Sequence, residues 1–390
     1  MMIKEKVNIN NLSSVHPEIL RGKGDRGRLS FIIAGGGTGG HIFPAIAIAN
    51  ALSRIAPQTQ ILFVGANGKM EMEKVPQAGY SIKGLDIAGF NRSSLLKNIG
   101  LPFKLVKSFF QVAKIIKDFK PDAVIGVGGY SSFPVLKYAQ GKGIPSFIHE
   151  SNSFAGKSNI FLGKNASAIF TASGNMEKFF PAEKIIVTGN PVRQNIAQSN
   201  VSKEEALKHF GLTADKKVVL SIGGSLGAKS INEAIDKDLD LFEQNDLQLI
   251  WQTGKPYKVA ATERTKGRAH VFVNDFITQM EYAYAAADIV ISRSGAMAIA
   301  ELCMVKKPVL FVPYPFAAED HQTANAKALV NKAAAEMIKD EDALQMLVPS
   351  VIALAKDSGR QQELSANMGG LAVANADVKI AEEILRLLKI

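Results

Sequence analysis

The stretch SFIIAGGGTGGHIFPAIAIANAL, residues 30–52, gives the first indication of the fold. A short β-prone apolar run leads into a glycine-rich loop, and apolar residues at helical spacing follow from about Pro44. This order predicts a strand, a tight loop and a helix. Gly35, Gly37 and Gly40 also match the G-x-G-x-x-G pattern, in which the backbone and the helix N-terminus approach a phosphate. An anion-binding loop is therefore predicted at the end of this strand.

The second apolar run argues against a dinucleotide in that loop. Nicotinamide and flavin enzymes place an acidic residue about 20 residues after the glycines, at the end of the second strand, to bind the ribose. Here QILFVGA, residues 60–66, is followed by Asn67 and carries no acid at its end. We therefore expect no nicotinamide or flavin, and no other cofactor.

Apolar runs alternate with helical patterns along the rest of the chain, which predicts parallel sheets with helices on both faces. The pattern begins again at KKVVLSIGGSLGAKSINEAI, residues 216–235, so the chain contains two Rossmann-like, doubly wound halves. Further strands are predicted at DAVIGVGG, PSFIHE, SAIFTAS, KIIVTGN, LQLIWQTG, AHVFVNDF, ADIVISRSG and KPVLFVPYP.

These patterns divide the chain into four segments. Residues 1–28 form an irregular arm, residues 29–190 the first α/β half and residues 191–370 the second. Residues 371–390 end in an amphipathic helical pattern, which we expect to pack back onto the first half.

Composition and charge limit the classes of function. The chain has 390 residues, 47% of them hydrophobic, which is enough for two domains with sizeable cores. A net charge of +10 favours anionic partners, but no nucleic-acid-binding motif is present, so we expect no nucleic acid. The single cysteine allows no internal disulfide or cysteine metal cluster, and we expect no metal. No signal peptide or spanning helix is predicted, so a cytoplasmic protein is expected.

Polar side chains follow several predicted strands of the first half. His41 lies directly behind the first glycine loop, where it either caps the helix or acts as a general base near neutral pH. The loops GVGGYSSFP and HESNSFAGKSN begin at neighbouring strand ends. Each side chain there is either a ligand contact or a stabiliser of its own loop. These candidates are Tyr130, His149, Glu150, Asn152 and Asn159.

The second half offers two more helix N-termini that suit a phosphate. Ser225 lies in SIGGSLGAKS, and SRSGAMAIAE leads into a helix with Glu301 about two turns along, at the distance of a ribose. From the residues alone, an equally good interpretation is that Glu301 is a solvated or ion-paired acid on the helix. AAEDHQTANA adds His321, Gln322 and Asn325. The D-x-D pattern in DKDLDLFE, residues 236–243, favours a solvated acidic surface over a metal site.

Residues 91–120 combine seven basic residues with many apolar ones. Lysines beside aromatic and aliphatic side chains are typical of a surface that lies on an anionic bilayer. The alternative is an ordinary core helix with a basic solvated face. The membrane interpretation rests on Leu95, Leu96, Lys97, Phe103, Lys104 and Lys107.

Taken together, seven motifs resemble the MurG-type N-acetylglucosaminyltransferases of bacterial peptidoglycan synthesis, over residues 29–390. They are GGGTGGHIFPAIAIANAL, GVGGYSSFP, HESNSFAGKSN, GNPVR, SIGGSLGAKSIN, DFITQMEYAYAAADIVISRSGAMAIAEL and DHQTANA. The resemblance implies a GT-B fold, with a lipid-binding acceptor half and a donor half. It also implies metal-free, inverting transfer of N-acetylglucosamine from UDP-N-acetylglucosamine to the 4-hydroxyl of lipid I, giving lipid II. The resemblance further implies that the protein acts at the cytoplasmic face of the cell inner membrane. There it would belong to a cell-wall synthesis complex that serves cell shape and division.

The resemblance also assigns residue roles. His41 is the candidate base, Ser225 lies at the diphosphate, the backbone of Ile277 meets uracil and Glu301 binds the ribose. The donor-binding residues carried over are Thr38, Gly39, Gly40, Asn152, Arg193, Ser225, Ile277, Ala296, Met297, Ala298, Ile299, Ala300, Glu301 and Gln322.

Two alternatives remain open on the sequence. The chain could be another GT-B enzyme with a glycolipid acceptor, since the glycine loops would look the same. It could also be a non-catalytic protein that binds a nucleotide sugar or a phospholipid, which would not need His41.

Overall fold

The computed structural model describes residues 28–89, 100–224, 226–317 and 320–390. Most of the arm predicted at residues 1–28 lies outside these ranges. So do four of the residues singled out by the sequence, namely Ser225, Leu95, Leu96 and Lys97.

The described part of the first half folds around a parallel sheet of seven strands in the order β3-β2-β1-β4-β5-β6-β7. In register, Ser30 of β1 pairs with Gln60 of β2, and Phe31 pairs with Ala123 of β4. The strands are β1 (Ser30–Ala34), β2 (Gln60–Ala66), β3 (Ser81–Leu85), β4 (Ala123–Gly126), β5 (Ser146–Glu150), β6 (Ala168–Thr171) and β7 (Ile185–Val187).

The described part of the second half contains a parallel sheet of six strands in the order β10-β9-β8-β11-β12-β13. The α/β fold with two doubly wound sheets is thereby confirmed. The strands are β8 (Lys217–Ile222), β9 (Leu247–Gln252), β10 (Val271–Asn274), β11 (Ile289–Ser292), β12 (Val309–Phe311) and β13 (Glu336–Met337).

Helices cover both faces of each sheet. In the first half α1, α2 and α16 pack on one face and α3, α4 and α5 on the other. The helices are α1 (Gly39–Ile55), α2 (Glu71–Gln77), α3 (Leu101–Phe119), α4 (Ser132–Gly141), α5 (Lys157–Gly163), α6 (Gln194–Ala197), α7 (Lys203–Phe210), α8 (Lys229–Lys237), α9 (Leu239–Gln244), α10 (Lys258–Arg264), α11 (Met280–Ala286), α12 (Ala296–Val305), α13 (His321–Val330), α14 (Ala343–Lys356), α15 (Ser358–Gly370) and α16 (Ala376–Leu387). Short 3₁₀ turns lie at Ala182–Lys184, Lys255–Tyr257 and Asp340–Asp342.

The start of α1 corrects the sequence prediction. The helix begins at Gly39, after Thr38 in an extended conformation, and not near Pro44. Pro44 lies inside the helix, where it lacks only the amide that would pair with the Gly40 carbonyl. Gly37, with φ of 88°, makes the sharp turn between β1 and α1 that a residue with a side chain adopts only with strain. His41 is consequently already in the first turn of the helix.

The last helix returns to the first half. Ile380 and Ile384 of α16 are buried in one core with Ile48 and Leu52 of α1. Asp377 at the start of α16 accepts a hydrogen bond from Arg54 at 3.2 Å. Helices of the described ranges include none that is long and apolar enough to cross a bilayer.

Candidate active site

The loops that follow the strands of the two sheets meet across a cleft. Ser153, after β5, donates a hydrogen bond to Asn325 of α13 at 3.2 Å. Asn190, after β7, lies 3.5 Å from the carbonyl oxygen of Ala296, the first residue of α12. A cavity of about 250 Å³ lies between these segments. Its other lining residues include Ser151, Gly189, Ile299, Cys303, Leu371 and Val373.

His41 is held between the first and second glycine loops. Its Nδ1 lies 3.1 Å from the carbonyl oxygen of Gly36 and 3.4 Å from Oγ1 of Thr38. A Cβ atom at Gly128 would stand 2.7 Å from Cδ2 of the imidazole, so the ring packs directly on this backbone. Because the Gly36 carbonyl can only accept, Nδ1 carries the proton in the neutral ring and Nε2 is free to accept one.

The surroundings of His41 act on its basicity in opposite directions. Burial lowers the pKa of His41, whereas the carboxylate of Glu150, the Gly36 carbonyl and the carboxylate of Glu71 raise it. A lowered pKa keeps the imidazole neutral near pH 7, which is the form that accepts a proton.

Glu71 occupies the end of β2, where the sequence shows no acid. This residue begins α2, is only 1% exposed, and points back toward the sheet edge. Its Oε1 accepts a hydrogen bond from the Ala66 amide and its Oε2 one from the Gly37 amide, both at 2.9 Å. A Cβ atom at Gly36 or Gly65 would collide with this side chain. The acid therefore binds the backbone of two loops.

Glu150 organises the loop that follows β5. Its Oε1 accepts hydrogen bonds from the amide and the side chain of Asn152, at 3.1 and 3.2 Å. Its Oε2 accepts from the Gly156 amide at 3.1 Å and from Asn159 at 2.8 Å. Both oxygens of Glu150 are thus engaged within the loop, so Glu150 and Asn159 hold its shape. The side-chain carbonyl oxygen of Asn152 is left to accept a hydrogen bond from a ligand.

Two further candidates of the first half lie beside this loop and the second glycine loop, His149 buried and Tyr130 partly buried. Burial, and to a lesser extent the nearby His41, lower the pKa of His149 to about 4. Burial also raises the pKa of Tyr130, and Glu71 adds to that rise. The Tyr130 ring packs against Gly37 and Gly89, where added Cβ atoms would lie 3.7 and 2.9 Å away.

Glu301 is part of a buried polar chain that reaches the first half. Its Oε1 accepts hydrogen bonds from Nε and Nη2 of Arg193 at 3.2 and 3.0 Å, and its Oε2 accepts from the Tyr284 hydroxyl at 3.0 Å. The Arg193 guanidinium lies over the ring of Phe43, 4.2 Å from its centre. Phe43 lies on the same helix as His41, so these contacts link α1 to the candidate ribose ligand.

Two helices of the second half present open N-termini at the cleft. Gly295 precedes α12 and Ala228 precedes α8, and among the described residues neither of these N-cap positions supplies a side-chain cap. Uncapped amides and the positive end of the helix dipole suit a diphosphate. The first turns of α12 hold the predicted donor contacts Ala296, Met297, Ala298, Ile299 and Ala300.

The remaining donor candidates have protein partners that restrict what they offer. The Ile277 amide donates to Oε1 of Gln252 at 2.9 Å, which leaves the Ile277 carbonyl oxygen for a base edge. Oε1 of Gln322 accepts from the Tyr314 amide at 3.0 Å, which leaves the Gln322 side-chain NH₂ as a donor. His321 begins α13, directly before Gln322.

Family models match both halves of the chain. The N-terminal domain of glycosyltransferase family 28 matches residues 31–171, and its C-terminal domain matches residues 218–384. A protein of Parabacteroides distasonis is 51% identical over 359 residues, which cover 92% of this chain and 98% of that protein. A Bacteroides fragilis protein is 50% identical over 370 residues, 94% of this chain and 97% of that protein.

Both relatives are called UDP-N-acetylglucosamine–N-acetylmuramyl-(pentapeptide) pyrophosphoryl-undecaprenol N-acetylglucosamine transferase. The solved structure of Acinetobacter baumannii MurG is similar with a TM-score of 0.70 and 29% identity, covering 92% of this chain and 99% of that one. The chain belongs to the MurG family. Staphylococcus aureus MnaA, solved with UDP, has the same fold with a TM-score of 0.67 at 16% identity.

The carboxylates of the acidic D-x-D pattern form ion pairs and are not part of the candidate site. Asp236 and Asp240 both form ion pairs with Arg264, at 3.3 and 3.2 Å. Asp238 lies 3.8 Å from the ammonium group of Lys237. These carboxylates are paired with basic side chains of α8, α10 and their surroundings, away from the strand ends that carry the candidate site.

Three residues at the candidate site were not identified from the sequence. Phe43 and Tyr284 lie at ordinary core spacing in their helices, so nothing in the sequence distinguishes them from packing residues. Glu71 did leave a signal, because an acidic residue lies five positions after a strand that ends without one. An acid at the first position of a helix can reach back to free amides at that strand end.

Proposed function

We propose that the chain transfers N-acetylglucosamine from UDP-N-acetylglucosamine to the 4-hydroxyl of the muramoyl-pentapeptide sugar of lipid I, forming lipid II. The observation that carries the proposal is the contact chain from α1 to α12. Phe43, two residues after His41, packs on Arg193, and Arg193 holds Glu301. This contact between the helix of the candidate base and the candidate ribose ligand supports a cleft that receives both acceptor and donor.

The donor is held by the second half. The diphosphate lies at the N-termini of α12 and α8 with Ser225, and uracil lies at the Ile277 backbone. Glu301 binds the ribose through Oε2, which accepts one hydrogen bond from Tyr284 and can accept another, whereas Oε1 already accepts two from Arg193. The helix dipoles stabilise the negative charge that develops on UDP as it leaves.

The acceptor proton goes to His41. As the 4-hydroxyl oxygen bonds to the anomeric carbon, its proton moves to Nε2 of His41, and the electron pair of the breaking bond stays on UDP. Attack from the face opposite UDP inverts the anomeric centre. The Gly36 carbonyl, which faces Nδ1 at 3.1 Å, stabilises the imidazolium that forms.

Turnover with two acceptors tests this function. The full chain is incubated with labelled UDP-N-acetylglucosamine and either a lipid I analogue or a glycolipid without the muramoyl peptide. Transfer to the lipid I analogue alone is expected, with no transfer to its 4-deoxy form. Transfer to the glycolipid alone would establish a different acceptor, and donor binding without any transfer would establish a non-catalytic protein.

Replacement of His41 tests the base. His41→Ala is expected to lower kcat by about 10²- to 10⁴-fold, the contribution of a positioned general base, while KM for the donor is unchanged. His209→Ala is the matched control, because His209 lies on α7 in contact with Phe210 and Tyr282 and outside the cleft. Full activity of the His41 variant would remove it from this role.

We also propose that α3 lies on an anionic membrane surface, at the cytoplasmic face of the inner membrane. Phe103 and Phe110 are 78% and 75% exposed although both are large and apolar. With Lys107 and Lys114 they fall at spacings of three, four and seven residues, which places them on one face of the helix. Apolar side chains that enter the bilayer beside lysines that attract its headgroups are typical of interfacial helices.

Vesicle binding tests the membrane proposal. Changing Lys104, Lys107 and Lys114 to Gln is expected to weaken binding to phosphatidylglycerol vesicles by about a hundredfold, since each lysine contributes about 1 kcal/mol. Changing Phe103 and Phe110 to Ser is expected to weaken binding to neutral vesicles too. Val259→Ser on α10 is the control, because Val259 is 76% exposed in the other half. Unchanged sedimentation of both α3 variants would make α3 an ordinary surface helix.

A further inference from the structure

We propose that Glu71 is a positioning residue for the transfer reaction, which orients His41 through the peptide group between Gly36 and Gly37. The proposal rests on the role of His41 as the base. Glu71 is hydrogen-bonded to backbone amides and not to His41, and its effect passes through one peptide unit of the glycine loop.

The geometry of that peptide unit carries the inference. Its N–H, on Gly37, donates to Oε2 of Glu71 at 2.9 Å. Its C=O, on Gly36, faces Nδ1 of His41 at 3.1 Å. In a trans peptide these two groups point in opposite directions, so carboxylate, peptide and imidazole form one line of hydrogen bonds. The second oxygen of Glu71 is fixed by the Ala66 amide, so the carboxylate cannot turn away.

A buried carboxylate at one end of this line affects the imidazole at the other. A hydrogen bond to the N–H polarises the peptide and makes its carbonyl a stronger acceptor, by roughly 10–30% per bond. The stronger acceptor favours the ring form with the proton on Nδ1, and it stabilises the imidazolium formed during transfer. The arrangement performs the task of a carboxylate bonded directly to a catalytic histidine, with a peptide inserted between them.

The packing of the loops supports a dedicated arrangement. Cβ atoms at Gly36 and Gly65 would collide with the Glu71 side chain, and one at Gly129 would lie 2.5 Å from the Gly36 carbonyl oxygen. The carboxylate and the peptide therefore meet only because three glycines leave room for them. Gly128 packs on the other side of the imidazole, which keeps the ring in line with the carbonyl.

Other ionisable groups near His41 are engaged differently. Glu150 and His149 of β5 interact electrostatically with His41. Glu150 accepts four hydrogen bonds within its own loop. Among the acids of the described residues that face His41, only Glu71 has a hydrogen bond to the peptide that binds the ring.

Nuclear magnetic resonance of histidine ring nitrogens tests the proposal without substrate. The full chain, labelled with ¹⁵N-histidine, contains six histidines, and the loss of one signal set in His41→Gln assigns His41. The native ring is expected to be the Nδ1–H form. In Glu71→Gln we expect a mixture of both forms and a lower pKa of the His41 ring, because a carboxylate that stabilises the imidazolium has been removed.

Kinetics provides the second readout. Glu71→Gln is expected to lower kcat by about tenfold to hundredfold, part of the 10²- to 10⁴-fold supplied by the base, with KM for the donor unchanged. The acid limb of its kcat/KM profile moves to lower pH together with the ring pKa. Glu73→Gln is the matched control, because Glu73 lies on the same helix with a 61% exposed side chain and pairs with Lys74.

The outcomes separate this proposal from the assignment of the base. An unchanged ring form and pKa in Glu71→Gln would overturn the positioning role, whatever the activity of His41→Ala. A changed ring with fully active His41→Ala would overturn His41 as the base and leave its coupling to Glu71 intact. If Glu71→Gln does not fold, Glu71→Asp is measured instead. It keeps the charge but cannot span both amides, and an unchanged ring in this variant also overturns the proposal.

Discussion

Three buried carboxylates lie at the cleft, and their hydrogen-bond partners give them three different tasks. Glu71 binds backbone amides of two loops, and Glu150 binds donors within one loop. Glu301 binds the side chains of Arg193 and Tyr284. A backbone partner fixes loop shape, whereas side-chain partners can share the carboxylate with a ligand. At the residue scale, the partner therefore distinguishes a ligand-binding acid from a structural one.

His149 makes stability depend on pH. Its pKa is lowered to about 4 by burial, against about 6.5 in the unfolded chain, so between these values only the unfolded state binds the proton. Stability is therefore expected to fall by about 3 kcal/mol as pH drops from 6.5 to 4. Urea unfolding at several pH values measures this, and His149→Gln should lose that part of the pH dependence.

Equal pH dependence in the parent and in His149→Gln would show that His149 is not kept neutral by folding.

The sequence identified residues where a motif marked them and missed them where only packing did. Glu150, Arg193 and Glu301 lie in recognisable motifs and all are found at the cleft. Phe43 and Glu71 depend on which loops meet in space. Distances between loops that are far apart in sequence arise from tertiary packing, so single-sequence patterns do not report them.

At the scale of elements, the sequence missed two strands of the described residues, β3 and β13, and both lie at sheet edges, whereas the edge strands β7 and β10 were predicted. Fully buried strands such as β1 and β11 are continuous apolar runs in the sequence. β3 lies at an edge of the first sheet, and its residues alternate in exposure. β13 lies at an edge of the second sheet and has only two residues. Edge strands bury less surface, so their composition carries a weaker signal.

The return of α16 to the first half predicts where its core is most sensitive. Ile384 is fully buried against α1. Ile384→Ala is expected to lower the free energy of unfolding by about 2–5 kcal/mol, because it removes apolar burial and leaves a cavity. Guanidinium unfolding measures the change. Lys379→Ala, on the exposed face of the same helix, should change stability by less than about 0.5 kcal/mol. Equal, small effects of both changes would mean that α16 does not contribute to this core.

At the scale of the whole molecule, side-chain contacts between the halves surround the candidate site. Lys74 of α2 lies over the ring of Phe276, 5.0 Å from its centre, beside the predicted uracil contact. Ser153, after β5, donates a hydrogen bond to Asn325 of α13. Interfaces built from such polar and cation–aromatic contacts permit relative motion of domains. We therefore expect donor binding and the relative orientation of the two halves to depend on the same side chains.

The link between Arg193 and Glu301 tests that dependence. Arg193→Met and Glu301→Gln are each expected to raise KM for UDP-N-acetylglucosamine by about tenfold to hundredfold, the value of a charged hydrogen bond of about 1.5–3 kcal/mol. Because the two side chains form one network, the double variant should lose little more than the weaker-binding single variant. Arg386→Met is the control, since Arg386 pairs with Glu383 on the surface of α16. Losses that multiply in the double variant would show that Arg193 and Glu301 contact the donor independently.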